Sequence, residues 1–251
     1  MSTFDRRRIQ APESSSAPAY QQENDAGPSR APTAPGDISD HPVLKTGLIN
    51  QANGSAYIES GSVKIACSVY GPRPKAPPFT PRGSLNLELK FAPFASHPRR
   101  APMRDTEPAA LSALLTQLIL PSLHLHLLPK SSVDVFLMVL ESDDVSDLLG
   151  AAHTVATAAI ADAGIAMSGL GVGTVVRGQE GEAEEGGKGA PASSVTLGVL
   201  PALNKVTNVW MTGVQDIDAV CDMIDQGVVS AKATHTVLAQ ALLEGAEQRG
   251  L

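Results

Sequence analysis

Four carboxylates, Glu141, Asp143, Asp144 and Asp147, fall directly after an apolar run and directly before an Ala-rich stretch. The end of a buried strand leading into a helix N-terminus is where α/β folds place anion sites, because the first-turn amides are unpaired and the helix dipole is positive there. Four carboxylates would repel a phosphate, so the expectation is that they cap and solvate the helix. The opposite charge is densest at Arg99, Arg100 and Arg104, which follow the segment FAPFASHP. A loop carrying these guanidinium groups between a strand and a helix is suited to a phosphodiester backbone, and a solvated basic loop is the alternative.

Other motifs carry less chemistry. The glycines of Gly169-Leu-Gly171-Val-Gly173 lie inside an apolar run and not between a strand and a helix, so they read as a closely packed strand and not as a dinucleotide cradle. His124 and His126 have no third ligand at metal spacing. Ser55, in Gly-Ser-Ala-Tyr, sits at a hairpin entry without the surroundings of a nucleophile elbow. No cofactor and no metal is expected.

The elements that must position these residues follow from periodicity. Val43 to Ile49, Ser55 to Ser60, Val63 to Tyr70 and Ser84 to Ala92 alternate apolar and polar residues, as half-buried strands do. Thr106-Glu107-Pro108 then opens a helix whose Leu111, Leu114, Leu115, Leu118 and Ile119 recur at helical spacing, and Pro121 ends or kinks it. Val133 to Leu140 is a nearly continuous apolar run, predicted to be a strand buried on both faces. An Ala-rich helix from Ser146 to Ala163 is capped by Gly164. Two or three strands follow, over Gly169 to Val176, Val195 to Leu200 and Val206 to Thr212, and an amphipathic helix runs from Asp216 to Glu247. Two β-rich blocks, each followed by a helix, make this an α+β chain with mixed α/β character and two related halves.

The chain has 251 residues, 43% of them hydrophobic and only 4% aromatic, so its core is aliphatic. Residues 1–42 are rich in Ala, Pro, Ser and Gly and are expected to be disordered or draped on a partner, leaving 43–251 as the folded domain. A second break, the acidic Gly-rich stretch at about 178–193, is expected to be a flexible loop. Cys67 and Cys221 lie far apart without a CxxC motif, which fits a reducing compartment. Polar residues follow Arg6-Arg7-Arg8, and no apolar stretch is long enough to span a bilayer, so neither a signal peptide nor a membrane partner is expected. A net charge of -7 argues against a free-standing nucleic-acid binder and leaves local basic patches open.

Set beside known families, LINQANGSAYIESGSVKIACSVYGPR resembles the N-terminal hairpin of the RNase PH family. LKFAPFASHPRR, SVDVFLMVLESDD, TAAIADAGI and VLPALNKVTNVW resemble later family segments in the same order. The resemblance spans about Val43 to Glu247 and implies the RNase PH-like fold, two βαβα-type halves around a mixed sheet. Phosphorolytic members hold phosphate through an arginine at the start of the Ala-rich helix, where this chain has Asp147. They use an acidic residue shortly before the Pro-x-Leu-Asn motif, where this chain has Ser193 or Ser194. A carboxylate in place of a guanidinium removes an anion partner and adds repulsion. By this resemblance the chain is not an enzyme but a non-catalytic ring subunit of the eukaryotic RNA exosome. Its partners would be other RNase PH-like subunits in a hexameric ring, cap subunits with RNA-binding domains, and RNA in the central channel. Its expected location is the nucleus and nucleolus, and also the cytoplasm. The alternatives are an active phosphate-dependent 3′-to-5′ exoribonuclease and a binding module that shares only the fold.

Overall fold

The computed structural model describes residues 42–96, 99, 108–178 and 193–250. Of the two segments expected to be flexible, 1–41 and 179–192 lie outside the described residues. The chain opens with β1 (Val43–Thr46), β2 (Gly54–Ser60), β3 (Val63–Pro74) and β4 (Ser84–Phe91), followed by α1 (Ala109–Ile119). Pro121 ends α1: its ring cannot donate to the helix, and two short 3-10 turns, Leu120–Ser122 and Leu125–Leu127, carry the chain onward. Next come β5 (Ser131–Glu141), α2 (Val145–Asp162), β6 (Val172–Arg177), β7 (Ser194–Leu200), β8 (Lys205–Thr212) and α3 (Ile217–Gln248).

Strands β1-β2-β3-β5-β4 form a five-stranded mixed sheet in that order, antiparallel except where β4 runs parallel to β5. The two-residue turn Gly61-Ser62 joins β2 to β3, and Gly61 takes the positive φ that this hairpin requires. Strands β6, β7 and β8 form a separate antiparallel sheet, so the second half lends only β5 to the mixed one.

Helix α2 runs between the two sheets, against β2 and β3 on one side and β6 and β7 on the other. Its residues from Leu148 through Ile160 are all buried, and a helix covered all round has no polar stripe. Small side chains let both sheets close on it. At one crossing the backbones nearly touch: a Cβ on Gly173 would lie 2.2 Å from the Gly150 carbonyl oxygen. Gly171 and Gly173 of the apolar run are therefore contact points for α2, whereas Gly169 has open space around it. Helix α3 covers the far side of the second sheet at β6 and β7 and continues to β1. No helix among the described residues is long and apolar enough to cross a membrane.

β5 departs from expectation in one respect. Val133, Val135, Leu137 and Val139 point into the core, whereas Phe136 and Met138, on the other face, are 36% and 42% exposed. The run is apolar on both faces, but only one is covered within this chain. The hairpin and the Ala-rich helix explain each other: Asp162 of α2 accepts a hydrogen bond from the Ser55 amide at 2.9 Å, and the β2 backbone at Gly54 lies directly on Ala159 and Ala163.

Candidate functional site

At the start of α2, Asp144 occupies the N-cap with extended backbone, but its side chain makes no capping hydrogen bond. It turns instead toward Arg177 at the end of β6. One guanidinium nitrogen donates to Asp147 Oδ2 at 2.6 Å and to Asp144 Oδ2 at 3.3 Å. The hydrogen bond to Asp147 is the largest of the influences that hold the Arg177 pKa above its ordinary value. Of the other two carboxylates, Glu141 pairs with Lys64 at 2.8 Å and Asp143 is exposed. The expected cap and solvated rim is thus corrected for Asp144 and Asp147, because an arginine distant in sequence claims both.

Behind this ion pair lies a run of hydroxyls. Ser146 Oγ and Ser194 Oγ are 2.8 Å apart, and Ser194 Oγ is 2.7 Å from Thr212 Oγ1. Ser193 Oγ accepts from the Gln215 amide at 2.6 Å. Asp147, Ser193 and Ser194, matched to one site by resemblance, do converge where the N-terminus of α2 meets the start of β7. Among the described residues the guanidinium in that corner is paired with two carboxylates, and the hydroxyls of Ser146, Ser193 and Ser194 are hydrogen-bonded within the protein.

The basic residues divide differently. Arg99 is exposed, while Arg100 and Arg104 lie outside the described residues. A second cationic surface forms at one end of the mixed sheet from Arg73, Lys75, Arg82 and Lys130. The Lys75 amide donates to the Lys130 carbonyl at 2.9 Å, the Lys130 amide to the Thr80 carbonyl at 3.3 Å, and the Thr80 hydroxyl to the Arg82 carbonyl at 2.7 Å. Aromatic rings are interleaved: Arg73 Cζ lies 4.9 Å from the Tyr70 ring centre and Lys130 Nζ 5.5 Å from that of Phe79. Tyr70 in turn meets Phe136 edge to face at 5.8 Å. None of the four cations stands within ion-pair distance of a carboxylate among the described residues. Sequence reasoning missed this surface because its parts come from the end of β3, a proline-rich loop and the turn before β5. The basic residues in PRPK and TPRG were its only local signal.

His124 and His126 have ring centres 5.5 Å apart, and His124 Nε2 lies 2.9 Å from Ser168 Oγ. Among the described residues no three His, Cys, Asp or Glu side chains are grouped to hold a metal ion.

The family model described as the 3′ exoribonuclease family, domain 1 (RNase_PH), matches residues 42–166. The exosome complex component mtr3 of Schizosaccharomyces pombe is 35% identical over 248 residues, which cover 95% of this chain and 96% of that protein. Among solved structures, rice (Oryza sativa) Rrp46 superposes with a TM-score of 0.65 at 20% identity, over 80% of this chain and 94% of its own. The Archaeoglobus fulgidus exosome with RNA bound to the active site gives 0.58 at 18% identity, over 76% and 85%. With the hairpin, the Ala-rich helix and the mixed sheet in place, and a relative this similar along nearly the whole chain, the protein belongs to the RNase PH family.

Proposed function

We propose that the protein is a structural subunit of an RNA exosome ring, built on the RNase PH fold but without phosphorolytic activity of its own. The observation that carries the reading is the Asp147–Arg177 pair. Where an active relative needs an unpaired cation for phosphate, this chain has a carboxylate already neutralised by an internal guanidinium. An anion entering there would have to displace Asp144 and Asp147 from Arg177 and then meet both negative charges. Catalysis by other subunits would leave this one the tasks of holding the ring together and lining the RNA path.

Assembly is supported by the apolar surface that the fold leaves open. Phe136 and Met138 face outward from the mixed sheet, and Val206, Val209, Met211, Val214 and Ile217 are exposed on and beyond the edge strand β8. Apolar surface on this scale marks a protein made to be covered. RNA contact is supported by Arg73, Lys75, Arg82, Lys130 and Arg99, cations in a chain of net charge -7. They suit phosphates without sequence preference, and the exposed Phe79 ring can stack on a base. Neighbouring RNase PH-like subunits in a hexameric ring, cap subunits bearing RNA-binding domains, and a nuclear, nucleolar and cytoplasmic location belong to the same reading.

The purified chain, incubated with RNA and inorganic phosphate, is expected to release no nucleoside diphosphate; clear phosphorolysis by this chain alone would establish the rival reading, an active exoribonuclease. A tagged copy is expected to co-purify with other RNase PH-like subunits, and recovery without them would leave only a shared fold.

A further inference from the structure

Both ring nitrogens of His153 are buried without a hydrogen-bond partner, and so is Oγ1 of Thr207. The two residues flank Gly198 of β7: a Cβ placed there would lie 2.5 Å from Thr207 Oγ1, 2.6 Å from Leu118 Cδ2 and 3.4 Å from His153 Cε1. On another side of the ring is Gly171, whose Cβ would come within 2.7 Å of Nε2 and 3.0 Å of Thr157 Cγ2. The imidazole thus sits midway along α2, in room made by two glycines, where the helix meets the three-stranded sheet. The Thr157 hydroxyl is already committed, at 2.5 Å from the Gly171 carbonyl.

We propose that His153 is an acid-sensitive latch between α2 and the three-stranded sheet. The neutral ring fills the space between Gly171 and Gly198. Protonation makes both nitrogens donors in a lining whose one unengaged side-chain acceptor is Thr207 Oγ1, and the junction must open to solvate the charge. Among the described residues no charged side chain offsets that charge. The groups around it include Leu118 of α1, Gly171 and the Val172 backbone at the start of β6, Gly198 of β7 and Thr207 of β8. On α2 itself Asp147 and Asp162 are six and nine positions away, well over one turn.

Burial lowers the pKa of His153 from 6.5 to about 4; the nearby Val172 backbone opposes the shift but does not reach hydrogen-bonding geometry with the ring. An unfolded chain accepts this proton near pH 6.5, and the folded chain does not until about pH 4. The stability contributed by the neutral ring is therefore complete above pH 6.5 and is lost as pH falls from there toward about 4. From this group alone the folding equilibrium constant should fall roughly thirty-fold between pH 8 and pH 5.

The test is urea unfolding of the full-length protein and of His153→Leu at pH 8, 6.5 and 5. The natural protein is expected to lose about thirty-fold more of its folding constant than the variant over that range; equal pH dependence overturns the proposal. Should leucine disturb packing, the His153 ring resonances of the natural protein decide alone. They are expected to stay those of a neutral imidazole down to pH 5, and titration near pH 6.5 in the folded state overturns the latch.

Discussion

Asp162 has a side chain only 2% exposed and two donors, the Ser55 amide and the Arg249 guanidinium. Arg249 also donates from Nε to the Gly245 carbonyl at 3.1 Å, so one residue ties the end of α3 to the end of α2. Removing it leaves a buried carboxylate with a single partner, which costs about 1–3 kcal/mol. Arg249→Ala should destabilise the protein by that amount in denaturant unfolding. Arg249→Lys should recover little of it, because an ammonium cannot reproduce the two-pronged grip. The Arg177 pair behaves differently, for its groups are half-exposed and such pairs contribute about 0–1 kcal/mol. An undiminished stability in Arg249→Ala would mean that the pair with Asp162 does not form in solution. At this scale the family resemblance pointed to Asp147 and Ser194 as the positions to inspect. It was silent on Arg177, which stands thirty positions from its partner Asp147 and closes on it only once β6 and α2 have packed.

At the scale of elements, glycines separate two kinds of constraint. Gly54 at the start of β2 has no room for a side chain, since a Cβ would lie 2.3 Å from the Ala163 amide nitrogen and 2.4 Å from the Ala159 carbonyl oxygen. Both obstacles are backbone, so no rotamer change relieves them. Gly61 in the hairpin turn has open space around it and only a positive φ to protect. Gly61→Ala should therefore cost about 1–2 kcal/mol from backbone strain, whereas Gly54→Ala should exceed the ~1–3 kcal/mol usual for overpacking, because the helix itself must move. Comparing the two denaturation midpoints checks this, and equal losses would refute the close approach of β2 to α2. Most strands were legible because β2 and β3 alternate cleanly. β5 does not alternate, so its apolar outward residues Phe136 and Met138 could not be told from core. Nor does period distinguish one sheet from two: β6, β7 and β8 separate from the mixed sheet because α2, buried all round, needs cover on both sides.

For the whole molecule the governing feature is an acidic chain in which Arg73, Lys75, Arg82 and Lys130 gather where, among the described residues, no carboxylate answers them. In an assembled ring, replacing Arg73 and Arg82 by Glu should weaken RNA binding at low salt, with the deficit shrinking as salt screens the phosphates. The same holds for Arg99 with Arg100. Assembly should survive both changes, because exposed side chains such as Arg73, Arg82 and Arg99 contribute little to the fold. Unchanged binding at low salt would remove that surface from the RNA path, and failure to assemble would move it to a subunit contact. The long reach of α3 has a further consequence, for synthesis. β1 is among the earliest parts of the folded domain to leave the ribosome, yet it leans on the last helix, about two hundred residues later. Until that helix emerges, Asp162 has no guanidinium and Gly245 is not yet seated against Thr46. The domain is thus incomplete until α3 has been made, and a stop codon that removes the final turn of α3 undoes contacts at both ends of the domain.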